Sequence, residues 1–128
     1  MMKMEKLLNT DDKPFSVFLR YRDHYFSNAQ EMIRKDEIRK ASEMLWGAAV
    51  QSIKFLASIN SVTLRSHKNI RDFVREVSEE EKNEALYQLF LELESLHRYF
   101  YDEDIMEKGD FPIFYEKVTQ FLKKMDGI

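Results

Sequence analysis

The segment LHRYFYDED, residues 96–104, places a histidine, an arginine, two tyrosines and three carboxylates within nine residues. His97 could exchange protons or contact a phosphate, Arg98 could pair with a phosphate, and Tyr101 could stack on a nucleotide base. At helical spacing, His97 and Asp104 fall inside the apolar arc of one helix, and Tyr101 falls at its edge. Because an unpaired buried charge is costly, we expect these side chains to face one another, a second chain or a solvated cleft.

Arg22 interrupts another apolar face, in the middle of the first helical pattern of the chain. If Arg22 enters the same cleft, it forms one polar cluster with His97 and Asp104 that opens to solvent beside Tyr101. Such a cluster would bind a nucleotide or a short RNA. The structural alternative is that Arg22 extends its guanidinium to solvent along apolar surface and His97 is a hydrogen-bonded histidine at the core edge.

The sequence favours neither a metal site nor a familiar hydrolase. Glu94 and His97 have the Glu-x-x-His spacing of di-iron bundles, but such a site needs a second copy, and the chain has none. There is no cysteine, no Gly-x-Ser-x-Gly motif and no phosphate-binding glycine loop. Residues 102–107 are acidic but lack the glycine and the alternating ligands of a calcium loop. We therefore predict no catalytic residue, no metal and no cofactor from these motifs.

Composition limits the domain count and the class of partner. A chain of 128 residues with 44% apolar and 34% charged side chains suits one domain, which we place at 13–128 after an N-terminal extension at 1–12. The net charge of -3 argues against a constitutive binder of bulk nucleic acid, although a local basic face remains possible. The start MMKMEKLLNT lacks the apolar run of a signal peptide, and no segment suits a membrane helix. We expect a soluble, cytoplasmic protein without a membrane partner.

The elements that must position these residues are helices. Only three glycines and two prolines interrupt the chain, and apolar residues recur at three- and four-residue spacing. Five helical patterns are predicted. The first starts near Pro14, the second has Asp36 as its N-cap, and the third has Ser66 as its cap. The fourth starts at a capping box of Ser78 and Glu81, and the fifth starts after Gly109 and Asp110. Short connections make successive helices neighbours, so the predicted fold is an all-α antiparallel bundle of about five helices.

The second pattern, EIRKASEMLWGAAVQSIKFLASIN, has an apolar arc too wide for a surface helix, so we predict that this helix is central. Gly47 on its polar side indicates a close approach by another helix or a ligand, or simple tolerance of a glycine. The fourth pattern is predicted to bury the stripe Ala85, Leu86, Leu89, Leu93, Leu96 and Phe100.

The segments KASEMLWGAAVQSIKFLA and LRSHKNIRDFV resemble the HEPN superfamily. Together with LHRYFYDED, they look most like the archaeal PaREP repetitive-element family, which is grouped with HEPN domains. The resemblance covers roughly residues 25–104. It matches His67 to the family's loop histidine, Lys54 to the lysine of its central helix, and LHRYFYDED to its Leu-His segment.

This resemblance implies a HEPN-like bundle that is commonly dimeric. Many relatives are RNases or toxin components that act with a nucleotidyltransferase-like partner protein. Their active site has an arginine, then four to six other residues, then a histidine, and none of His24, His67 and His97 follows an arginine in that way. The resemblance therefore implies a protein that lacks the nuclease motif.

We predict a non-catalytic or cryptic HEPN-like module that binds a nucleotide, RNA or a partner protein. Its cleft would belong to a homodimer, which the load of 17 aromatic rings also favours. The predicted binding residues are Arg22, Lys54, His67, His97, Arg98, Tyr101 and Asp104. One alternative is a metal-independent RNase in which His97 is the acid or base and Arg22 or Arg98 stabilises phosphorane charge. Another is a structural partner in a toxin–antitoxin-like complex.

Overall fold

The structure is a computed structural model, and it describes residues 15–128. Five α-helices follow one another in the order α1 (Ser16–Arg34), α2 (Ile38–Ile59), α3 (His67–Glu80), α4 (Glu84–Tyr101) and α5 (Phe111–Asp126). Two 3-10 turns, Glu103–Ile105 and Lys108–Asp110, connect α4 to α5. There is no strand within residues 15–128. The predicted all-α bundle of five helices is confirmed, whereas the predicted start near Pro14 lies outside the described residues.

Helix α2 is the centre of the bundle. It contacts α1, α3, α4 and α5, and Leu45 and Leu56 on its apolar face are completely buried. The apolar arc predicted from the sequence is wide because four neighbouring helices cover different parts of α2. The predicted central position of this helix is confirmed.

Two helix starts test the local predictions. The Ser66 side chain caps α3 by accepting a hydrogen bond from the backbone N–H of Asn69 at 3.0 Å, as predicted. The N-cap prediction for Asp36 is wrong, because the N-cap of α2 is Glu37, without a side-chain cap bond. Asp36 instead has a φ of 59°, in the left-handed region, and its carboxylate pairs with Lys108 at 2.8 Å. The tight turn between α1 and α2 explains this conformation.

The predicted capping box of Ser78 and Glu81 is also wrong. Ser78 lies inside α3, where its hydroxyl donates to the backbone carbonyl of Asn83 in the following turn. The helix therefore runs past this position, and α4 begins at Glu84 with Asn83 as its N-cap. Ala85, predicted to lie in the core stripe of α4, is exposed because it belongs to the first turn after the chain reverses.

Gly47 marks the close approach of α1 to α2. A Cβ atom at this position would lie 3.0 to 3.2 Å from ring atoms of Tyr25. Real Cβ atoms rarely come so close to another heavy atom, so the ring uses space that alanine would fill. Of the interpretations left open by the sequence, the close approach of a helix is the one that the structure supports.

Candidate functional site

His97 on α4 is oriented by Glu43 on α2. Its Nδ1 atom lies 2.8 and 3.0 Å from the two carboxylate oxygens, and each side chain is 26% exposed. Since a carboxylate only accepts hydrogen bonds, we assign the proton to Nδ1. The carboxylate fixes the plane of the imidazole and leaves Nε2 available to a ligand.

Trp46 forms the floor beneath this imidazole. Its ring centre lies 5.7 Å from that of His97, with 28° between the planes. Trp46 is 6% exposed and also contacts Phe90 in the core, with ring centres 5.6 Å apart. One turn of α2 therefore supplies both the carboxylate and the aromatic support, because Glu43 and Trp46 are three residues apart.

His67 brings a second imidazole to the first from another helix. It is the first residue of α3, immediately after the cap Ser66, and its ring centre lies 5.3 Å from that of His97. Its ring centre is also 6.5 Å from that of Trp46. Because Ser66 fixes where α3 begins, the cap also determines where this exposed histidine lies.

Tyr101 completes the cluster at the last residue of α4. Its ring meets the His97 ring edge-on at 5.4 Å, and 70% of the residue is exposed. Arg39 holds this end of the helix by donating to the carbonyls of Tyr99 and Phe100 at 3.1 and 2.9 Å. We call Glu43, Trp46, His67, His97 and Tyr101 the histidine site.

The histidine site combines proton-transfer groups with aromatic surface. An imidazolium donates from both nitrogens, so in that form His97 bonds Glu43 through Nδ1 and can donate to a phosphate through Nε2. With a proton on Nδ1 alone, its Nε2 instead accepts a proton from a substrate. An exposed tyrosine ring can stack on a base. Among residues 15–128, no group of three or more histidine, aspartate and glutamate side chains is arranged to hold a metal ion.

Arg22 does not join this cluster. Its guanidinium donates to Asp126 on α5 at 2.8 Å and to Asp23 at 3.0 Å. Burial raises the pKa of Asp126 above its usual range, and Arg22 opposes that rise. The predicted cluster of Arg22, His97 and Asp104 is therefore wrong in its geometry, because an arginine on α1 finds its carboxylate on α5.

Asp104 lies outside α4, in the exposed 3-10 turn Glu103–Ile105. It lines a cavity of about 610 Å³ together with Arg39, Lys40 and Lys108. The lysines there contact carboxylates and Arg39 binds the α4 carbonyls. With these cations already paired, we place the candidate site at the histidines and not in this cavity.

The other two predicted residues are also separate from the imidazole pair. Arg98 is exposed beside His97 on the helix surface and donates to the Ser95 hydroxyl at 3.1 Å. Lys54 lines a cavity of about 410 Å³ with Phe18 and the loop that follows α2. It lies two turns after Trp46 along α2, about 12 Å away. Of the seven predicted residues, the structure thus brings together His67, His97 and Tyr101.

The sequence alone does not assign site roles to Glu43 and Trp46. Its pattern places Glu43 beside Gly47 on the polar side of α2, and it singles out no role for Trp46. A usable signal is present, because a glutamate three residues before a tryptophan places a carboxylate beside a large ring on one helix face. The sequence pattern does not indicate which neighbouring helix this face contacts.

The family model that matches the chain is that of the archaeal PaREP1/PaREP8 family, over residues 18–119. The chain belongs to this family. All five residues of the histidine site fall within the matched part of this PaREP1/PaREP8 chain. None of the curated proteins or solved structures compared with it gives a significant match.

No helix within residues 15–128 of this PaREP1/PaREP8 chain is both long enough and apolar enough to cross a membrane.

Proposed function

We propose that this protein is a HEPN-like module that binds the phosphate of a nucleotide or RNA at the histidine site. One observation carries the proposal. The ring of His67 contacts the ring of His97, which the Glu43 carboxylate orients, and the exposed ring of Tyr101 lies at the same place. A histidine at the core edge can be satisfied by a carboxylate alone. A second imidazole from another helix and an exposed ring at the same place favour a ligand.

The start of α3 supports phosphate binding at this position. The first backbone N–H groups of a helix have no partner within the helix, and they attract anions. Here Ser66 satisfies the N–H groups of Asn69 and Ile70, and the N–H groups of His67 and Lys68 make no hydrogen bond within residues 15–128. The exposed Lys68 side chain lies at the same end and pairs with Asp72 at 2.9 Å.

Tyr101 supports recognition of the base. Its ring is largely exposed, whereas the Trp46 ring is buried and can only support His97 from below. A base could therefore stack on Tyr101 while its phosphate contacts the imidazoles. This division assigns affinity for the anion to the histidines and affinity for the base to the tyrosine.

We expect replacement of Tyr101 by leucine to weaken binding of adenosine monophosphate about 5- to 150-fold, since stacking contributes about 1–3 kcal/mol per base. Binding of inorganic phosphate should remain as in the wild type. Isothermal titration of both ligands measures the two effects. Tyr101→Phe, which retains the ring, should bind nearly as the wild type does.

The matched control is Tyr21→Leu, because Tyr21 is the other strongly exposed tyrosine and lies on α1. It should leave both ligands unaffected. Equal binding of the nucleotide by wild type and Tyr101→Leu would remove the tyrosine from the proposed site. If the wild type bound neither ligand, the proposed function would be wrong.

The proposal includes a homodimer, a possible nucleotidyltransferase-like partner protein and a cytoplasmic location. The resemblance to HEPN proteins supports the first two. Ile105, an exposed apolar residue four positions after Tyr101, offers apolar surface that a second copy could contact while Tyr101 stays open to the ligand. RNA and nucleotides are cytoplasmic ligands, so that location follows from the proposed function.

Metal-independent RNA cleavage is the second candidate function, and the imidazole pair favours it. One imidazole would accept the proton of a 2′-hydroxyl while its oxygen attacks phosphorus. The other would donate a proton to the 5′-oxygen as the phosphorus–oxygen bond breaks, giving a 2′,3′-cyclic phosphate and a 5′-hydroxyl. The sequence-based hypothesis has Arg22 or Arg98 stabilise phosphorane charge, but Arg22 is engaged by Asp126. His67 enters the proposal as the second acid or base beside His97.

For this second function, we expect His97→Ala to slow RNA cleavage about 10²- to 10⁴-fold, as loss of a general acid or base does. A chelator should not inhibit the wild type, and a 2′-deoxy sugar at the cleaved position should block the reaction. Gel analysis of end-labelled RNA gives the rates, with His24→Ala as the control. Cleavage that persists in His97→Ala, or that attacks the deoxy substrate, would exclude this chemistry.

A further inference from the structure

A row of side chains leads away from the histidine site along the surface of α3. His67, Arg71 and Arg75 are spaced four residues apart, so they form one ridge that follows the helix. The ridge is about 12 Å long, because each residue advances the helix by about 1.5 Å. We call these three residues the α3 ridge. Its first member is already part of the histidine site.

The charges of the α3 ridge are available to a ligand. Arg71 is exposed and makes no hydrogen bond or ion pair with any residue between 15 and 128. Arg75 donates to the Tyr87 hydroxyl at 2.8 Å and lies over the Tyr87 ring at 5.0 Å. The Tyr87 contacts hold the guanidinium in place without neutralising it.

Lys68 runs alongside the ridge, and Asp72 is the carboxylate that restrains it. Lys68 binds Asp72 at 2.9 Å, and Arg75 lies 3.7 Å from the same side chain. The hydrogen bond from Lys68 lowers the pKa of Asp72, so this carboxylate is charged at neutral pH. Asp72 therefore faces three positive charges, and Glu79 also acts on Arg75 at the end of the ridge. Three positive charges against two negative ones leave this face weakly basic on a protein whose net charge is -3.

We propose that the α3 ridge binds the backbone of a single-stranded RNA whose end or target nucleotide occupies the histidine site. This inference rests on the proposed function and names its ligand as a strand instead of a free nucleotide. Arginine side chains about 6 Å apart along a helix can each reach a different phosphate of an extended strand. Duplex RNA fits less well, because its bases are stacked away from Tyr101 and its major groove is too narrow for side chains.

The charges beyond Arg75 limit the length of RNA that the α3 ridge can bind. Beyond Arg75, the same helix carries the exposed carboxylates Glu76 and Glu79. A polyanion that continued in this direction would meet like charge. The affinity should therefore rise with RNA length only until the strand covers the ridge, and longer strands should bind no more tightly.

The test is the salt dependence of RNA binding by the double variant Arg71→Ala/Arg75→Ala. For a single strand, each phosphate that a cation neutralises contributes about 0.7 to the slope of log affinity against log salt. We expect the slope of the double variant to be smaller by about 1.4, because two such cations are removed. Fluorescence anisotropy with labelled oligouridine and oligoadenosine of about 8 nucleotides gives the slopes, and both sequences should respond alike.

Two further variants make the measurement specific. Arg20→Ala/Lys124→Ala removes the same charge from exposed positions on α1 and α5 and should leave the slope unchanged. Asp72→Asn frees Lys68 and Arg75 and should strengthen RNA binding several-fold with a steeper slope. Melting temperatures of all variants report whether they fold as the wild type does.

The outcomes separate this inference from the proposed function. If Arg71→Ala/Arg75→Ala and the wild type bind RNA with equal slopes while a mononucleotide still binds, the ridge is wrong and the proposed function stands. The ridge is also wrong if the double variant weakens mononucleotide binding as much as RNA binding, because the arginines would then belong to the histidine site. If the wild type binds neither ligand, both proposals are wrong.

Discussion

Replacing Leu45 or Leu56 by alanine is expected to lower the free energy of unfolding by about 2 to 5 kcal/mol. Both side chains are completely buried on the helix that contacts the four others. Each truncation removes apolar surface and leaves a cavity that rigid neighbouring helices cannot fill. Urea unfolding followed by circular dichroism measures the change.

The control for this experiment is Ile113→Ala on α5. Ile113 is a large apolar residue that is 55% exposed, so its truncation should change the free energy of unfolding by about 0.5 kcal/mol or less. If the two leucine variants were as stable as the Ile113 variant, α2 would not be the centre of the bundle.

Replacing His97 by alanine is expected to weaken nucleotide binding about 10- to 150-fold, because hydrogen bonds to charged groups contribute about 1.5–3 kcal/mol. His67→Ala should have an effect of similar size. The two imidazoles lie 5.3 Å apart and would hold one phosphate, so the double variant should lose less than the sum of the single losses.

Isothermal titration of adenosine monophosphate against the four proteins of this cycle measures the coupling. His24→Ala is the matched control, because His24 is an exposed histidine on α1. Additive losses at His67 and His97 would indicate two independent contacts. Unchanged affinity in His97→Ala would remove the histidine site from the function altogether.

The fold was predictable because it depends on patterns within single helices. Periodic apolar residues and the absence of turn residues are local properties, and α2 carries them strongly enough to identify the centre. Helix ends were less predictable. Ser78 has the residue type and spacing of a cap, but burial inside α3 made it part of the helix instead. Tertiary packing determined that boundary.

The site was predictable only where one helix contained the information. His97 and Tyr101 are one turn apart on α4, so their contact follows from helical spacing. The contact between Arg22 and Asp126 joins residues on α1 and α5, and no local pattern indicates it. A helical wheel gives the face on which a side chain lies, but it does not give the helix which that face meets.

The same limit explains Glu43 and Trp46. Each has a sufficient local explanation, one as a polar surface residue and the other as a core aromatic. Their roles appear only when α4 brings His97 between them and α3 begins with His67 at the same place. The resemblance singles out His67 but neither Glu43 nor Trp46.

The most direct test of the central claim is nuclear magnetic resonance of the histidine side-chain nitrogens during titration with adenosine monophosphate. The Nε2 resonances of His67 and His97 should shift together and saturate, while the Nδ1 resonance of His97 remains that of a nitrogen bound to Glu43. His24 should not shift. Saturable shifts confined to His24, or no shift at His67 and His97, would contradict the claim that this pair binds phosphate.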